Sequence, residues 1–273
     1  IKAGASIYPR CLWLVQPLPS PFGINRERPA LQTSLEVERR AKRPWQDVRL
    51  QGEVEAGYLY ATMLGRQLLP FGFTSLSLLV LPIQDTPAGI RLVKKETALA
   101  RGHSGLHGWL RQTESLWEEN RKQATTADVY QWLDYMGKLT SQHPTGYHTV
   151  LYGGAGTHIA SCVLSPPQEE DLEVEGIIPS GFIADIDTFL YQTKNGSEAH
   201  FLCALLNSDY VNRAIKAYQT RGAWGERHIY RRPFEVVPIP RFNPEDERHQ
   251  KLVELSQECH RRVAKLSLVG KSI

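Results

Sequence analysis

The stretch Leu76-Ser77-Leu78-Leu79-Val80-Leu81-Pro82-Ile83 decides how this chain is read. It is rich in leucine and valine, follows Phe71-Gly72 and is broken by Pro82. A run that is apolar on both faces suits a strand buried on both sides, which requires a sheet covered by helices. The expected fold class is therefore α/β (α+β): a mixed β-sheet with packed helices and a C-terminal helical segment.

Working outward towards the N-terminus, residues 55–64 read as a short helix ended by Gly65, and residues 48–54 as extended chain. Residues 26–43 are polar and end in Arg39-Arg40-Ala41-Lys42-Arg43, a second basic cluster that reads as a linker, a solvated face or an arm toward a polyanion. Residues 7–15 read as a strand ended by Pro17, Pro19 and Pro21.

Towards the C-terminus, Leu106, Leu110, Leu116 and Trp117 among charges predict an amphipathic helix over 106–122. Val129, Trp132, Leu133 and Met136 predict another over 127–139. Residues 147–152 and 158–164 are β-rich runs joined by Gly153-Gly154-Ala155-Gly156-Thr157, a hairpin signal. A glycine loop that cradles a nucleotide opens a helix after a strand, so this one reads as a turn. Residues 183–191 read as a strand, and Lys194-Asn195-Gly196 turns the chain into a helix capped by Ser197. Val211, Ala214, Ile215 and Tyr218 then lie on one helical stripe, leaving Arg213 and Lys216 off it. Asn243 and Pro244 predict the start of a terminal helix with the stripe Leu252, Leu255, Cys259, Val263 and Leu266.

At 273 residues and 41% hydrophobic, the chain has room for one large core or two modest ones. The expected division is 1–175, an α/β part, and 176–273, a basic helix-loop-strand part with the terminal helix. It begins at Ile1 in mid-pattern, which reads as a segment of a longer protein. No apolar run approaches the roughly 18 residues needed to cross a membrane and no signal peptide is visible, so no membrane contact and a cytoplasmic location are expected. Cys11, Cys162, Cys203 and Cys259 form no CxxC pair and read as buried free thiols. His103 and His107 are four apart, but Gly102, Gly105 and Gly108 argue against a stiff helix there, so no metal site is expected.

Charge is concentrated late. Between Asp209 and Arg241 stand seven bases, Arg213, Lys216, Arg221, Arg227, Arg231, Arg232 and Arg241, against the acids Asp209, Glu226 and Glu235. The local charge of +4 compares with a net +3 for the whole chain. Arginine forks bind phosphate oxygens or the guanine major-groove edge through paired hydrogen bonds, and a basic patch on a near-neutral protein suggests a polyanion site. Gly222 and Gly225 permit close backbone approach, and Trp224 offers a stacking face. The candidate DNA-binding residues are Arg213, Lys216, Arg221, Trp224, Arg227, His228, Arg231, Arg232, Arg39 and Arg40. Lys216, Arg39 and Arg40 are assigned to phosphates, and Arg221, Arg227, His228 and Arg231 to base edges.

The order Leu205-Leu206-Asn207-Ser208, a helix, Arg221-Gly222 to His228-Ile229, Val237-Pro238-Ile239-Pro240 and a terminal helix resembles the C-terminal target-recognition region of TaqI-like adenine-specific DNA methyltransferases, fused restriction and modification enzymes included. Gly4-Ala5-Ser6-Ile7-Tyr8-Pro9-Arg10 with Leu12-Trp13-Leu14-Val15 is similar to the segment entering that region. The resemblance implies double-stranded DNA as partner, an upstream methyltransferase domain of the same polypeptide, and S-adenosylmethionine as cofactor of the parent enzyme. No cofactor and no catalytic residue are expected in this segment. Ser165-Pro166-Pro167-Gln168 lacks the aromatic fourth residue of an amino-methyltransferase motif and precedes the acidic run 169–175, so it reads as a turn. Two other readings stand beside this one: an interaction domain whose arginines bind an acidic partner, and a small self-contained nuclease or methyltransferase.

Overall fold

The computed structural model describes residues 1–21, 23–166, 172–222, 225–226 and 228–266. In chain order the strands are β1 (Lys2–Ala3), β2 (Leu14–Pro17), β3 (Ala30–Thr33), β4 (Gln51–Glu53), β5 (Leu59–Thr62), β6 (Leu68–Leu69), β7 (Gly72–Phe73), β8 (Ser77–Val80), β9 (Ile83–Thr86), β10 (Gly89–Leu92), β11 (His148–Gly153), β12 (Ser161–Leu164), β13 (Thr188–Thr193), β14 (Arg221–Gly222) and β15 (Gly225–Glu226). The helices are α1 (Leu35–Arg40), α2 (Lys95–Ala100), α3 (Ser104–Asn120), α4 (Val129–Leu133), α5 (Gly196–Leu206), α6 (Asp209–Lys216), α7 (Arg232–Val236) and α8 (Glu247–Lys265). The fold is mixed α/β, as the apolar run at β8 requires, but its sheets are antiparallel and separate.

β8 lies inside a five-stranded sheet of order β4-β3-β2-β8-β5. Its Leu78, Leu79 and Val80 are all buried, paired across to Leu14 of β2 and to Leu59 and Tyr60 of β5. Helix α3 covers β4 and sends the Trp109 indole N–H to the Leu12 carbonyl at 3.1 Å. The larger core collects here, with Trp13, Leu31, Leu79, Trp109, Leu110 and Leu133 among its members.

A second sheet has the order β1-β13-β11-β12. The β11–β12 hairpin forms as the glycine turn predicts, with Tyr152 opposite Ser161. α5 packs on this sheet and α8 packs on α5. The second core, including Val150, Phe189, Leu202, Val211, Ile215 and Ile229, fills the space between. Strands from either side of residue 175 therefore share one ladder.

Several local readings are corrected by long-range contacts. Residues 26–43 are not a linker: they supply β3, paired to both β2 and β4, and α1. Residues 56–58 make only a 3-10 turn before β5, because the chain there is recruited into the sheet. The Glu55 carboxylate instead accepts hydrogen bonds from the Gly105 and Leu106 amides at 2.9 and 2.8 Å, fixing the start of α3. Gly105 lies inside that helix because a Cβ there would come within 2.6 Å of the Glu53 carbonyl oxygen. The 127–139 helix stops at Leu133, and Met136 is left-handed at φ 58°. Of 183–191 only Thr188 onward is strand. Asn195, not Ser197, caps α5, and Asp246, not Asn243, caps α8. On α8 the buried residues are Val253 and Ser256, while Leu255 and Leu266 are exposed. Cys11, Cys162 and Cys203 are buried and free, and Cys259 is half-buried and free.

Candidate nucleic-acid interface

Helix α6 starts where Ser208 Oγ accepts the Val211 amide at 3.2 Å, and it buries Val211 and Ile215. Buried Asn212 accepts the Ile159 amide at 2.7 Å, which ties α6 to the loop leading into β12. Tyr218, expected on the buried stripe, is exposed. Arg213 points outward and pairs with Asp209 one turn earlier, an exposed ion pair that a phosphate can displace at little cost. The Lys216 ammonium donates to the Thr157 carbonyl of the glycine turn.

That turn holds the basic segment in place. The Gly154 carbonyl accepts from the Ile229 amide at 3.0 Å and the Tyr230 amide at 3.1 Å. Ala155 bridges to His228, and Gln219 donates to the Gly156 carbonyl at 3.0 Å. A Cβ at position 154 would sit 3.2 Å from both the Asp187 carbonyl oxygen and the Phe189 ring, so a side chain there would push these neighbours back by a few tenths of an ångström. His228 stacks on Tyr230 with ring centroids 4.8 Å apart, and the Tyr152 hydroxyl donates to the Tyr230 carbonyl at 2.8 Å. The exposed Tyr230 at φ 46° turns the chain so that Arg231 follows on the surface and Arg232 opens α7. Neither arginine makes an ion pair among the described residues. Arg221 lies in β14, opposite Glu226 of β15. Trp224 and Arg227 lie outside the described residues, as do Pro167 and Gln168.

The second basic cluster ends α1. Arg40 pairs with Glu36 at 3.4 Å, and Arg66 reaches the same carboxylate at 2.6 Å. Exposed Arg39 makes no ion pair among the described residues. Arg40 lines a groove of about 430 Å³ together with Arg10.

Arg10, which the sequence reading assigns no role, lines this groove and is bonded to the segment before β13. Its guanidinium donates to Asp185 and Asp187, both at 2.6 Å, and lies 4.7 Å above the Tyr8 ring. Burial pushes the Asp185 carboxyl up to about 6, against the opposing pull of Arg10. The Asp187 carbonyl accepts the Gly154 amide at 2.8 Å. A continuous run of hydrogen bonds therefore leads from Arg10 through Asp187 and Gly154 to Tyr230. The sequence signal for this contact is the Asp185-Ile186-Asp187 pair of carboxyls, which lie in a turn closed by the Thr188 amide on the Asp185 carbonyl at 2.9 Å.

Burial pushes the Cys11 thiol in the groove up to about 12, so it stays protonated and unreactive at neutral pH. His103 meets the Tyr58 hydroxyl at 2.5 Å and His107 the Lys95 carbonyl at 3.1 Å. Among the described residues no group of three or more His, Cys, Asp or Glu side chains could hold a metal ion. No helix among them is long and apolar enough to cross a membrane.

The molecule is thus a mixed α/β protein in which the exposed Arg231 follows a backbone segment held by the glycine turn, and that turn is bonded to Asp187 and, through it, to Arg10. No family model matches the chain, and no curated protein matches it at a significant level.

Proposed function

We propose that this chain is a sequence-specific double-stranded DNA recognition module that serves an adenine-specific DNA methyltransferase of a restriction and modification system. The methyl-transferring domain and its S-adenosylmethionine site belong elsewhere in the same cytoplasmic polypeptide, and the chain itself carries out no reaction. The supporting observation is the mount of the late basic segment: the Gly154 carbonyl holds the Ile229 and Tyr230 amides ahead of Arg231, and the same run of hydrogen bonds continues through Asp187 to Arg10, which lines one groove with Arg40. A polyanion lattice needs cations at set separations, and a rigid mount avoids the entropy of ordering them on binding. In this reading Arg39, Arg40, Arg213 and Lys216 meet phosphates, while Arg221, Arg227, His228 and Arg231 read base edges.

The test is a salt titration of duplex DNA binding by the wild type and by Arg231→Ala/Arg232→Ala. The wild type is expected to lose affinity linearly on logarithmic axes, and the double variant to lower that slope by about one unit for each phosphate contact removed. A base-reading arginine would in addition account for about 1–3 kcal/mol of preference at one base pair. An unchanged slope together with an unchanged preference, or no duplex binding at low salt, would overturn the reading.

A further inference from the structure

The groove beside Arg10 has a composition that phosphate contact alone does not call for. Its volume of about 430 Å³ falls within the range of small-ligand sites and suits one nucleotide rather than a duplex. Its wall carries the Tyr8 and Trp45 rings, with Val37 and Leu64 as apolar floor. Trp45 is held by stacking on Trp117 at 5.8 Å, and Tyr8 by the Arg10 guanidinium over its ring. Two placed rings beside an apolar floor are what a planar heteroaromatic ring requires.

The rim supplies the charge. Glu36 is shared by Arg40 and Arg66, so that acid is already satisfied. Lys42 and Arg43 line the same groove, are exposed, and make no ion pair among the described residues. Two unneutralised cations next to an aromatic slot match an anionic group covalently attached to a flat ring.

We infer that this groove binds a single unpaired nucleotide, its base against Tyr8 and Trp45 and its phosphate on Lys42 and Arg43. The inference builds on the DNA reading above, where an unpaired or displaced nucleotide would lie beside the held duplex. A base already out of the stack enters without the unpairing cost, so a mononucleotide is a fair probe.

The experiment is a calorimetric titration of the chain with dAMP, deoxyadenosine and inorganic phosphate separately. The expected result is that dAMP binds at least about tenfold more tightly than either half alone. Lys42→Ala/Arg43→Ala should weaken dAMP by about tenfold and leave deoxyadenosine unchanged, while Tyr8→Ala should do the reverse for the base contribution. All three positions are surface-exposed, and an unchanged melting temperature confirms that the variants fold. Phosphate binding as tight as dAMP, no dAMP binding, or full dAMP binding by the double variant would overturn the inference. The duplex titration separates the two ideas: duplex binding without dAMP binding sinks only the nucleotide site, and dAMP binding without duplex binding sinks only the DNA reading.

Discussion

At the scale of single residues, Gly4 shows how a close backbone approach dictates side-chain size. Its amide donates to the Thr188 carbonyl at 2.9 Å, and Ala5 bridges to Asp185 beside it. A Cβ at position 4 would stand 2.1 Å from the Asp185 carbonyl oxygen, which is backbone and unable to rotate away. Gly4→Ala is therefore expected to destabilise by about 1–3 kcal/mol, the usual range for overpacking. Gly57→Ala is the control, since nothing lies within 4 Å of a Cβ there. Thermal unfolding of both checks this, and equal melting temperatures would refute it. The same contact seats the chain so that Arg10 reaches Asp185 and Asp187.

At the scale of elements, the end of α5 was legible and its purpose was not. Leu205-Leu206-Asn207-Ser208 marks a helix stop, and the helix does end at Leu206. Only the fold shows that Asn207 clamps this end to β12, accepting the Ser161 amide at 2.9 Å and donating to the Ser161 carbonyl at 2.8 Å. Removing it takes those partners from the two backbone groups of the fully buried Ser161. Asn207→Ala should cost about 2 kcal/mol, read as a lower chemical-denaturation midpoint at unchanged m-value. A cost under about 0.5 kcal/mol would show that solvent replaces the clamp. The misread caps have a related cause: Asn243 does accept an amide, that of Glu245 at 3.0 Å, but in a turn ahead of the helix that Asp246 starts. A capping residue followed by proline has the same local signature in both settings.

At the scale of the whole molecule, three histidines gather where α5, α8 and the four-stranded sheet meet. His260 accepts the Val163 amide at Nε2 and donates from Nδ1 to the Ser256 carbonyl, an arrangement that requires the neutral ring. His200 faces it with ring centroids 5.0 Å apart and bonds to the Ser256 hydroxyl at 3.2 Å. Burial pushes His200 down to about 4, and lowers His260 and His148 as well. A histidine depressed in the folded state contributes stability that is complete above its unfolded pKa of about 6.5 and is lost as pH falls towards the folded value. Asp185, raised by burial, acts in the opposite sense over part of that window. The His200 contribution should therefore be lost between about pH 6.5 and 4, by about 1 kcal/mol after discounting for its partial exposure, and is read as the difference between variant and wild type. His200→Gln should flatten this drop relative to wild type; identical pH profiles by thermal unfolding would refute the assignment.

Taken alone, the sequence determined the mixed α/β class, the β11–β12 hairpin, the helices α3, α5 and α6, the burial of three of the thiols and the place where positive charge accumulates. Each of these follows from period, turn residues or local charge, which act over one or two turns of chain. Tertiary structure alone decided that a five-stranded and a four-stranded antiparallel sheet form, that residues 26–43 are strand and helix, and that Arg10 is tied through Asp187 and Gly154 to the start of the late basic segment. Strand pairing and buried ion pairs depend on which distant segments come into contact. A four-residue strand such as β3, with only Leu31 and Thr33 facing inward, carries too little pattern of its own to announce its partners.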